Sequence, residues 1–430
     1  MLLGQRKLGR GKSGRKIVVA ALLIGLLAAA CSSSSKTTNP PSNLPTSTTT
    51  LIAAPAGLPA FYSVPEPISA EPGAIIKAEA VSLPDIHGTV YRVMYSSLTV
   101  QSTSVAVTGL VFVPKTSPPA DGYPVVTWGH GTNGMADSCA ASLDAADAVP
   151  LVNDLLDQGW EVTASDYQGE GTPGLLPYIA GVSAARNTID IVRAAHNLTA
   201  AHASRNYVVW GHSEGGQTAM YALSIGATYA PEYNLKGVVA GAPPSQFSLI
   251  YAFLKTSPYR YYLLMAAGGL NAAYGDTVAP LDQLLKPAGM ALIPDLDRGC
   301  TGYLSKVMGN LDVSKLVKAD PFKIPAWRKV LMYNDPENFA TASAAPLLMI
   351  QGGNDEQIPV ASTQLLAQHL CKIGQNLERW IYPGQSHAGV ITPSAPDMIH
   401  WIADRFAGVT SPDPYKPTGL AGIQTTTCPS

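Results

Sequence analysis

A serine between two glycines is the residue of this sequence with the clearest chemical capacity. A short apolar run at residues 207–211 leads into the motif Gly-His-Ser-Glu-Gly at residues 211–215, which has Ser213 at its centre. A serine on a sharp turn between a strand and a helix is exposed for nucleophilic attack, and the flanking glycines relieve crowding around the turn. The motif predicts a nucleophile at Ser213. A serine that merely caps an ordinary helix is the alternative that these five residues leave open.

A serine hydroxyl is a weak nucleophile until a histidine takes its proton, and that histidine works best when a carboxylate orients it. The predicted strand at residues 347–350 ends in a turn that offers Asp355, and the predicted strand at residues 377–382 ends in a turn that offers His387. Glu356 is the competing acid, and we favour Asp355 because Glu356 is expected to face solvent or to cap the next helix. The order serine, acid, histidine, each after a strand, is that of an α/β-hydrolase site.

Such a site also needs two backbone N–H groups that hold the negative oxygen of the tetrahedral intermediate. One comes from the residue after the nucleophile, here Glu214, and the other from the loop after an earlier strand. The predicted strand at residues 123–128 is followed by the glycine-rich loop 129–134. We assign the second donor to Thr132, with Gly131 allowing the loop to approach closely. A plain glycine-rich turn is the alternative.

The elements that must position these groups alternate between strands and helices along much of the chain. Strands are predicted at residues 74–83, 89–100, 104–114, 123–128, 160–164, 205–211, 235–241, 347–350 and 377–382, and helices at 143–158, 181–198, 214–227, 361–371 and 395–406. Such alternation is typical of a mostly parallel sheet with helices on both faces. The sequence therefore predicts an α/β-hydrolase core formed by residues 56–244 and 345–430.

The alternation stops between residues 245 and 344, where the sequence is helical in period, rich in Leu, Met and Tyr, and poor in charges. Helices are predicted there at residues 246–255, 259–274, 301–311 and 325–333. Such a segment suits a helical cap or lid that lines an acyl-chain pocket, while packing of the cap onto the sheet explains most of the same side chains. We expect the cap to line part of the pocket and assign no individual side chain to it.

The first residues differ from the rest of the chain. Six basic side chains precede the fourteen-residue apolar run 17–30, which is too short to span a bilayer, so residues 1–30 are predicted to be a secretory signal peptide. Cys31 stands where a bacterial lipoprotein has its lipid-acceptor cysteine, although Ala28 occupies a position at which that pattern prefers leucine. Ordinary cleavage after a small-residue site is the alternative. Residues 31–55 are predicted to be a disordered tether because they are rich in Ser, Thr and Pro.

Charge and motifs exclude several other classes of function. Residues 1–30 carry six basic and no acidic side chains, so the exported part has 22 basic against 30 acidic ones, which argues against nucleic acid as a partner. Histidines and cysteines match no common zinc spacing, and the sequence contains no P-loop, so we predict no metal and no cofactor. Four cysteines in an oxidising compartment predict two disulfides, for which three pairings are possible.

Three stretches of the chain resemble the secretory lipases of the α/β-hydrolase superfamily, the fungal lipase A type and its actinobacterial relatives. They are residues 128–134 with Cys139 following, residues 211–216, and the two loops that carry Asp355 and His387. The resemblance extends from about residue 74 to the C-terminus. It implies a helical cap between the sixth and seventh strands and the hydrolysis of carboxylic esters, often of lipids.

The same resemblance implies roles for individual residues. Ser213, Asp355 and His387 match the positions of that family's catalytic triad. Its disulfide pattern implies one bridge from the loop after the third strand to the cap and one that fastens the C-terminal tail. In this sequence these are Cys139 with Cys300 and Cys371 with Cys428.

Together these features predict an exported serine hydrolase that cleaves lipid-type carboxylic esters through an acyl-enzyme. It is expected to be anchored to the membrane through a lipid on Cys31, or to be secreted. Two alternatives remain open. The same triad serves acyl transfer or peptide cleavage in the first, and the chain is a non-catalytic surface binding protein on a hydrolase scaffold in the second.

Overall fold

A ten-stranded sheet runs through the part of the chain that the computed structural model describes, residues 50–411 and 415–428. The strands are β1 (Thr50–Ile52), β2 (Val64–Glu66), β3 (Ile75–Val81), β4 (Gly88–Leu98), β5 (Ser104–Pro114), β6 (Tyr123–Gly129), β7 (Glu161–Ser165), β8 (Ala203–His212), β9 (Asn234–Gly241), β10 (Leu347–Gly352), β11 (Leu377–Tyr382) and β12 (Gln424–Thr427). Their order in the large sheet is β12-β11-β10-β9-β8-β6-β7-β5-β4-β3. β1 and β2 form a separate antiparallel pair.

Six neighbouring strands of the sheet pair in parallel, and their order is β7, β6, β8, β9, β10 and β11. The other strands, β3, β4, β5 and β12, pair antiparallel with their neighbours. Parallel strands are buried on both faces, which explains why most of β10, and β8 from Tyr207 onward, consist of apolar residues. Because these strands run the same way, their C-terminal ends lie along one edge of the sheet. The loops with the candidate chemical groups all follow those ends.

Helices cover both faces of the sheet. They are α1 (Val152–Asp157), α2 (Gly181–Asn197), α3 (Glu214–Tyr229), α4 (Phe247–Leu254), α5 (Tyr261–Tyr274), α6 (Leu281–Leu284), α7 (Pro287–Met290), α8 (Thr301–Met308), α9 (Val313–Leu316), α10 (Pro325–Tyr333), α11 (Val360–Lys372) and α12 (Ile391–Ala407). One buried cluster contains Ile189 of α2 and Met220 of α3, and the cluster on the other face contains Leu155 of α1 and Trp401 of α12. This arrangement confirms the predicted α/β fold with a mostly parallel sheet.

The helices α4 to α10 fall between β9 and β10, the sixth and seventh of the eight strands from β4 to β11. This confirms the predicted place of the insertion. These helices form a third buried cluster that includes Leu264, Met308 and Trp327, and this cluster also takes in Tyr167 and Tyr178 from the loop after β7. The inserted helices therefore pack onto the loops at the C-terminal edge of the sheet.

Two predicted boundaries need correction. The predicted helix at residues 143–158 is reduced to a short 3-10 turn and α1, because Pro150 precedes Leu151, which takes a left-handed conformation with φ of 60°. The predicted tether extended to residue 55, yet Thr50–Ile52 pairs with β2, and the half-buried Ile52 packs against the cluster of Val64. The predicted signal peptide, Cys31 and residues 31–49 of the predicted tether lie outside the described residues.

Two disulfides have the pairing that the family resemblance implied. Cys139, in the loop after β6, is bonded to Cys300, and Cys371 of α11 is bonded to Cys428. The first bridge joins the loop after β6 to the inserted helices. The second holds the end of the chain against α11, next to the edge strand β12, which the sequence did not predict.

Among the described residues, no helix has the length and apolar character that a membrane span requires.

Candidate active site

Ser213 lies on a tight turn between β8 and α3. Its backbone has φ of 59° and ψ of −122°, a conformation that costs free energy in a residue with a side chain and that is found at nucleophile elbows. A Cβ on Gly211 would lie 2.1 Å from the carbonyl oxygen of Gly215, and one on Gly215 would lie 1.8 Å from that of Gly129. Both flanking glycines are therefore required by close backbone packing, and the helix-cap alternative does not account for this geometry.

Asp355 and His387 are in direct contact. Both side chains are buried, and the Nδ1 atom of His387 lies 2.9 Å from each carboxylate oxygen of Asp355. The backbone N–H groups of Gln357 and Ile358 donate to Oδ1 of Asp355 at 2.9 and 2.8 Å. Burial alone would raise the pKa of Asp355, but the hydrogen bond and the charge of His387, together with these amides, lower it overall. The carboxylate is thus held ionised against the imidazole.

Glu356 is exposed, as expected, and it also contacts the loop that carries His387. Its Oε2 atom accepts a hydrogen bond of 3.0 Å from the backbone N–H of His387. Its Oε1 atom accepts one of 3.4 Å from the hydroxyl of Tyr259, just before α5. Asp355 is the acid that meets the imidazole ring, whereas Glu356 holds the backbone of the His387 loop.

The ring of His387 packs beside the elbow. Its centroid is 4.7 Å from that of His212, the residue before Ser213. With Nδ1 bonded to Asp355, Nε2 is the ring nitrogen left for a proton from Ser213, and it is buried with no hydrogen-bond partner among the described residues. Burial and the neighbouring charge of His387 lower the pKa of His212 to about 3, so His212 is neutral at pH 7. Since it adds no competing charge, His212 acts as packing for the His387 ring.

The glycine-rich loop after β6 passes Ser213 closely. A Cβ on Gly131 would lie 3.4 Å from the carbonyl oxygen of His212 and 3.6 Å from the Cβ of Ser213. The hydroxyl of Thr132, the next residue, forms a hydrogen bond of 3.0 Å with the hydroxyl of Tyr178. The loop and the start of α3 therefore meet next to the elbow, where the predicted oxyanion donors Thr132 and Glu214 stand.

A cavity of about 1120 Å³, including its open mouth, extends from Ser213 into the inserted helices. Most of its wall is apolar and comes from α4, α5 and the helices that follow. Representative lining residues are Ile250, Leu254, Leu264, Leu270, Met308 and Trp327. Tyr178 lies in the wall together with Ser213, so the polar elbow opens directly onto an apolar pocket.

Several residues that support this site were missed by the sequence reasoning. Tyr178 lies in the loop after β7, Tyr259 lies just before α5, and Tyr262 lies in its first turn. The hydroxyl of Tyr262 donates to the side-chain oxygen of Gln357 at 3.2 Å. Tyrosines are common in this chain, and no spacing distinguishes these three from the others. Their contacts come from packing of distant segments, which the sequence pattern does not report.

Within residues 50–411 and 415–428, no group of three or more His, Cys, Asp or Glu side chains is arranged to hold a metal ion.

Several known proteins with sequences similar to this chain are named as lipases. A family model described as secretory lipase matches residues 137–413. The chain is 24% identical to lipase A of Arthroderma benhamiae over 60% of its own length and 56% of that protein's, and 26% identical to a secreted triacylglycerol lipase of Malassezia globosa over 74% and 72%. It is also 22% identical to a probable inactive lipase of Mycobacterium tuberculosis over 82% and 85% of the two chains.

The fold has a close counterpart among solved structures. Lipase A of Candida antarctica superposes with a TM-score of 0.70 at 20% identity, covering 81% of this chain and 85% of that one. This likeness concerns the fold, and the family model spans more than half of the 430 residues. The chain therefore belongs to the secretory lipase family and is built on the α/β-hydrolase fold.

Proposed function

We propose that this protein is an exported serine hydrolase that cleaves carboxylic esters with apolar acyl chains. The proposal is supported most by the ring of His387, which is bonded to Asp355 and lies 4.7 Å from the ring of His212, the residue before Ser213 on the elbow. Ser213 itself lines the apolar cavity. A decayed scaffold would have no reason to keep a serine in a strained conformation beside a buried histidine and carboxylate.

The reaction begins when Ser213 Oγ attacks the ester carbonyl carbon while Nε2 of His387 takes the hydroxyl proton. Asp355 remains ionised, keeps the proton of His387 on Nδ1 and stabilises the imidazolium that forms. The tetrahedral intermediate collapses as Nε2 returns the proton to the departing alcohol, which leaves an acyl-enzyme. Water, deprotonated by the same Nε2, then attacks the acyl-enzyme, and the acid leaves as Ser213 recovers its proton.

The negative oxygen of each intermediate is held, in this proposal, by the backbone N–H groups of Thr132 and Glu214. The positions of these residues support the assignment. Glu214 is the first residue of α3, whose amide dipoles point toward the elbow, and the Gly131 backbone passes within a few ångströms of Ser213. Two donors fixed before the substrate arrives need no reorganisation during the reaction.

The acyl chain of the substrate is assigned to the cavity. Each buried methylene contributes about 0.8 kcal/mol, which corresponds to at most about a fourfold gain in kcat/KM per methylene until the cavity is full. A relative is named a triacylglycerol lipase, which supports a lipid-type ester. Initial rates on p-nitrophenyl esters from acetyl to palmitoyl, with and without an interface, test this assignment.

Filling the cavity is expected to change chain-length preference. Ala267 of α5 is buried and lines the cavity, so Ala267→Phe places a ring where a long chain would lie. We expect kcat/KM for palmitoyl esters to fall about tenfold or more, while acetyl esters change by about threefold or less. Ala272→Phe, at an exposed position of the same helix, is the matched control. Equal losses for short and long chains would place the acyl chain elsewhere.

The chemistry of the same triad extends to acyl transfer to another alcohol or to peptide cleavage, and one relative is named probably inactive. Product analysis with an added alcohol separates hydrolysis from transfer. An active-site-directed fluorophosphonate that labels Ser213 supports catalysis. Failure to label it, in a folded preparation, would favour a non-catalytic binding protein.

The domain layout is part of the proposal. Residues 1–30 act as a signal peptide, residues after Cys31 as a tether, and residues 245–344 as a cap over the hydrolase core. Membership in a family of secretory proteins supports export.

Lipid attachment at Cys31 is expected to hold the exported protein at the membrane. Mass spectrometry of the mature protein from its native host should find a diacylglyceryl group on an N-terminal Cys31. Cys31→Ser should release the protein into the medium. A mature protein that begins at another residue and carries no lipid would contradict the anchor and leave secretion as the outcome.

A further inference from the structure

The side chain of Glu214 connects the two halves of the candidate oxyanion site. Its backbone N–H is one of the proposed donors, and its carboxyl group lies beside the hydroxyl of Thr132, whose backbone N–H is the other. The Thr132 hydroxyl in turn bonds to the hydroxyl of Tyr178 at 3.0 Å. A chain of three polar groups thus runs from the start of α3 through the loop after β6 to the wall of the cavity.

The surroundings of Glu214 disfavour a negative charge. The residue is 3% exposed, and its Oε2 atom has no hydrogen-bond partner among the described residues. No lysine or arginine pairs with it in the described part of the chain. Burial raises the pKa of Glu214 to about 8, and the neighbouring Thr132 hydroxyl offsets part of that rise. At neutral pH most molecules therefore carry a protonated Glu214.

The groups that face Glu214 come from two other segments. The loop after β7 contributes Tyr167, Glu170 and Tyr178, whose pKa values burial raises and the negative charge of Glu214 would raise further. The loop after β6 contributes Thr132, and His130 of the same loop lies beside Glu170. The Nε2 atom of His130 lies 3.7 Å from Glu170, and burial lowers the pKa of His130, so it is neutral as well. Asp137 adds a further acidic group near Glu170.

The neutral state of Glu214 matters for catalysis, because a charge near the substrate oxygen changes the stability of the oxyanion. A carboxylate beside the two donors would oppose the negative charge that develops on the substrate oxygen, and the low dielectric of the buried site would strengthen the repulsion. A protonated carboxyl group brings no such charge and still reaches Thr132. Its O–H group also donates a hydrogen bond.

We propose that the protonated side chain of Glu214 is a positioning residue that joins Thr132 to the start of α3 and so holds the two oxyanion donors in place. Ionisation of Glu214 then weakens binding of the transition state. This inference rests on the proposed function, because it requires a reaction with an oxyanion. It concerns the side chain, in addition to the backbone donor already assigned.

The test is the pH dependence of kcat and kcat/KM between pH 6 and pH 10 for the full mature protein. p-Nitrophenyl butyrate, read at the isosbestic wavelength of its product, is a suitable probe. We expect the wild-type kcat to fall about tenfold between pH 7 and pH 9, as a single ionisation near pH 8 requires. Glu214→Gln, which keeps an uncharged hydrogen-bonding group, should lose this alkaline decline. Glu214→Ala should lower kcat by about 10- to 100-fold across the whole range.

Glu161 offers a matched control. It is another fully buried glutamate whose pKa burial raises, but it begins β7 at the end of the sheet opposite the elbow. Glu161→Gln should keep the wild-type alkaline decline. Circular dichroism at each pH, and recovery of activity on return to pH 7, separate the decline from unfolding.

The outcomes are distinct. A decline that persists in Glu214→Gln, that vanishes instead in Glu170→Gln, or that is missing from the wild type would overturn the proposal. If Glu214→Gln does not fold, Thr132→Ser and Thr132→Val replace it: the serine should keep the decline, and the valine should move it to higher pH and lower kcat. Equal profiles for these two variants would also overturn the proposal. If the proposed function itself were wrong, the result would differ: ester turnover would be absent, or it would survive Ser213→Ala.

Discussion

Replacing Ser213 with alanine is expected to lower ester turnover by about four orders of magnitude or more. The change removes the atom that attacks the carbonyl, while the donors and the cavity still bind substrate. Alanine is small and has a Cβ as serine does, so the strained turn at φ of 59° accepts it without new clashes. Steady-state kinetics with p-nitrophenyl butyrate measures the loss, and phosphonate labelling should disappear with it.

Ser224→Ala provides the control for this variant. Ser224 is an exposed serine on α3, the helix that begins directly after Ser213. Its replacement should leave kcat within experimental error, and both variants should show the wild-type thermal transition. Turnover that survives Ser213→Ala in a folded protein would rule out the acyl-enzyme mechanism.

Asp355→Asn is expected to reduce kcat by about 10³- to 10⁴-fold with a small change in KM. In the wild type, the Nδ1 atom of His387 lies 2.9 Å from each carboxylate oxygen of Asp355. An amide offers one oxygen and one donor, so it stabilises the wrong tautomer and removes the charge that stabilises the imidazolium. The pH dependence of kcat and the rate of phosphonate labelling should both report the loss.

Glu356→Gln is the comparison that decides between the two acids. Glutamine retains an oxygen that accepts from the backbone N–H of His387, so we expect a loss of about tenfold or less. If Glu356→Gln proved as harmful as Asp355→Asn, the assignment of the acid would be reversed.

Stability should depend on pH in opposite directions at Asp355 and Glu214. The pKa of Asp355 is lowered in the fold, so its contribution to the free energy of unfolding is present above the unfolded pKa and is lost as the pH falls through the folded value. The pKa of Glu214 is raised to about 8, so its contribution is full below the unfolded pKa and declines as the pH rises toward 8.

The core and its candidate reacting groups are predicted from local patterns in the sequence. Strands buried on both faces are largely apolar, and turns after them need glycine, so the ends of β8, β10 and β11 are recognisable. Ser213 follows β8, Asp355 and its competitor Glu356 follow β10, and His387 follows β11. Errors appeared where a single residue changed the local geometry, as at Pro150 and Leu151. The edge strand β12 was missed because its threonines are exposed and show no alternation of polar and apolar side chains.

By itself, the sequence determined the α/β order of the elements, the elbow at Ser213, and Asp355 and His387 as candidate partners, because each depends on residues a few positions apart. The tertiary structure decided which acid meets the imidazole, that Glu356 holds the His387 loop, and that the inserted helices enclose an apolar cavity. It also decided that Glu214 is buried against Thr132 and Tyr178 without a cation. Contacts and burial of this kind arise between segments that are tens to hundreds of residues apart, and the periodicity of one segment does not record which other segment it will meet.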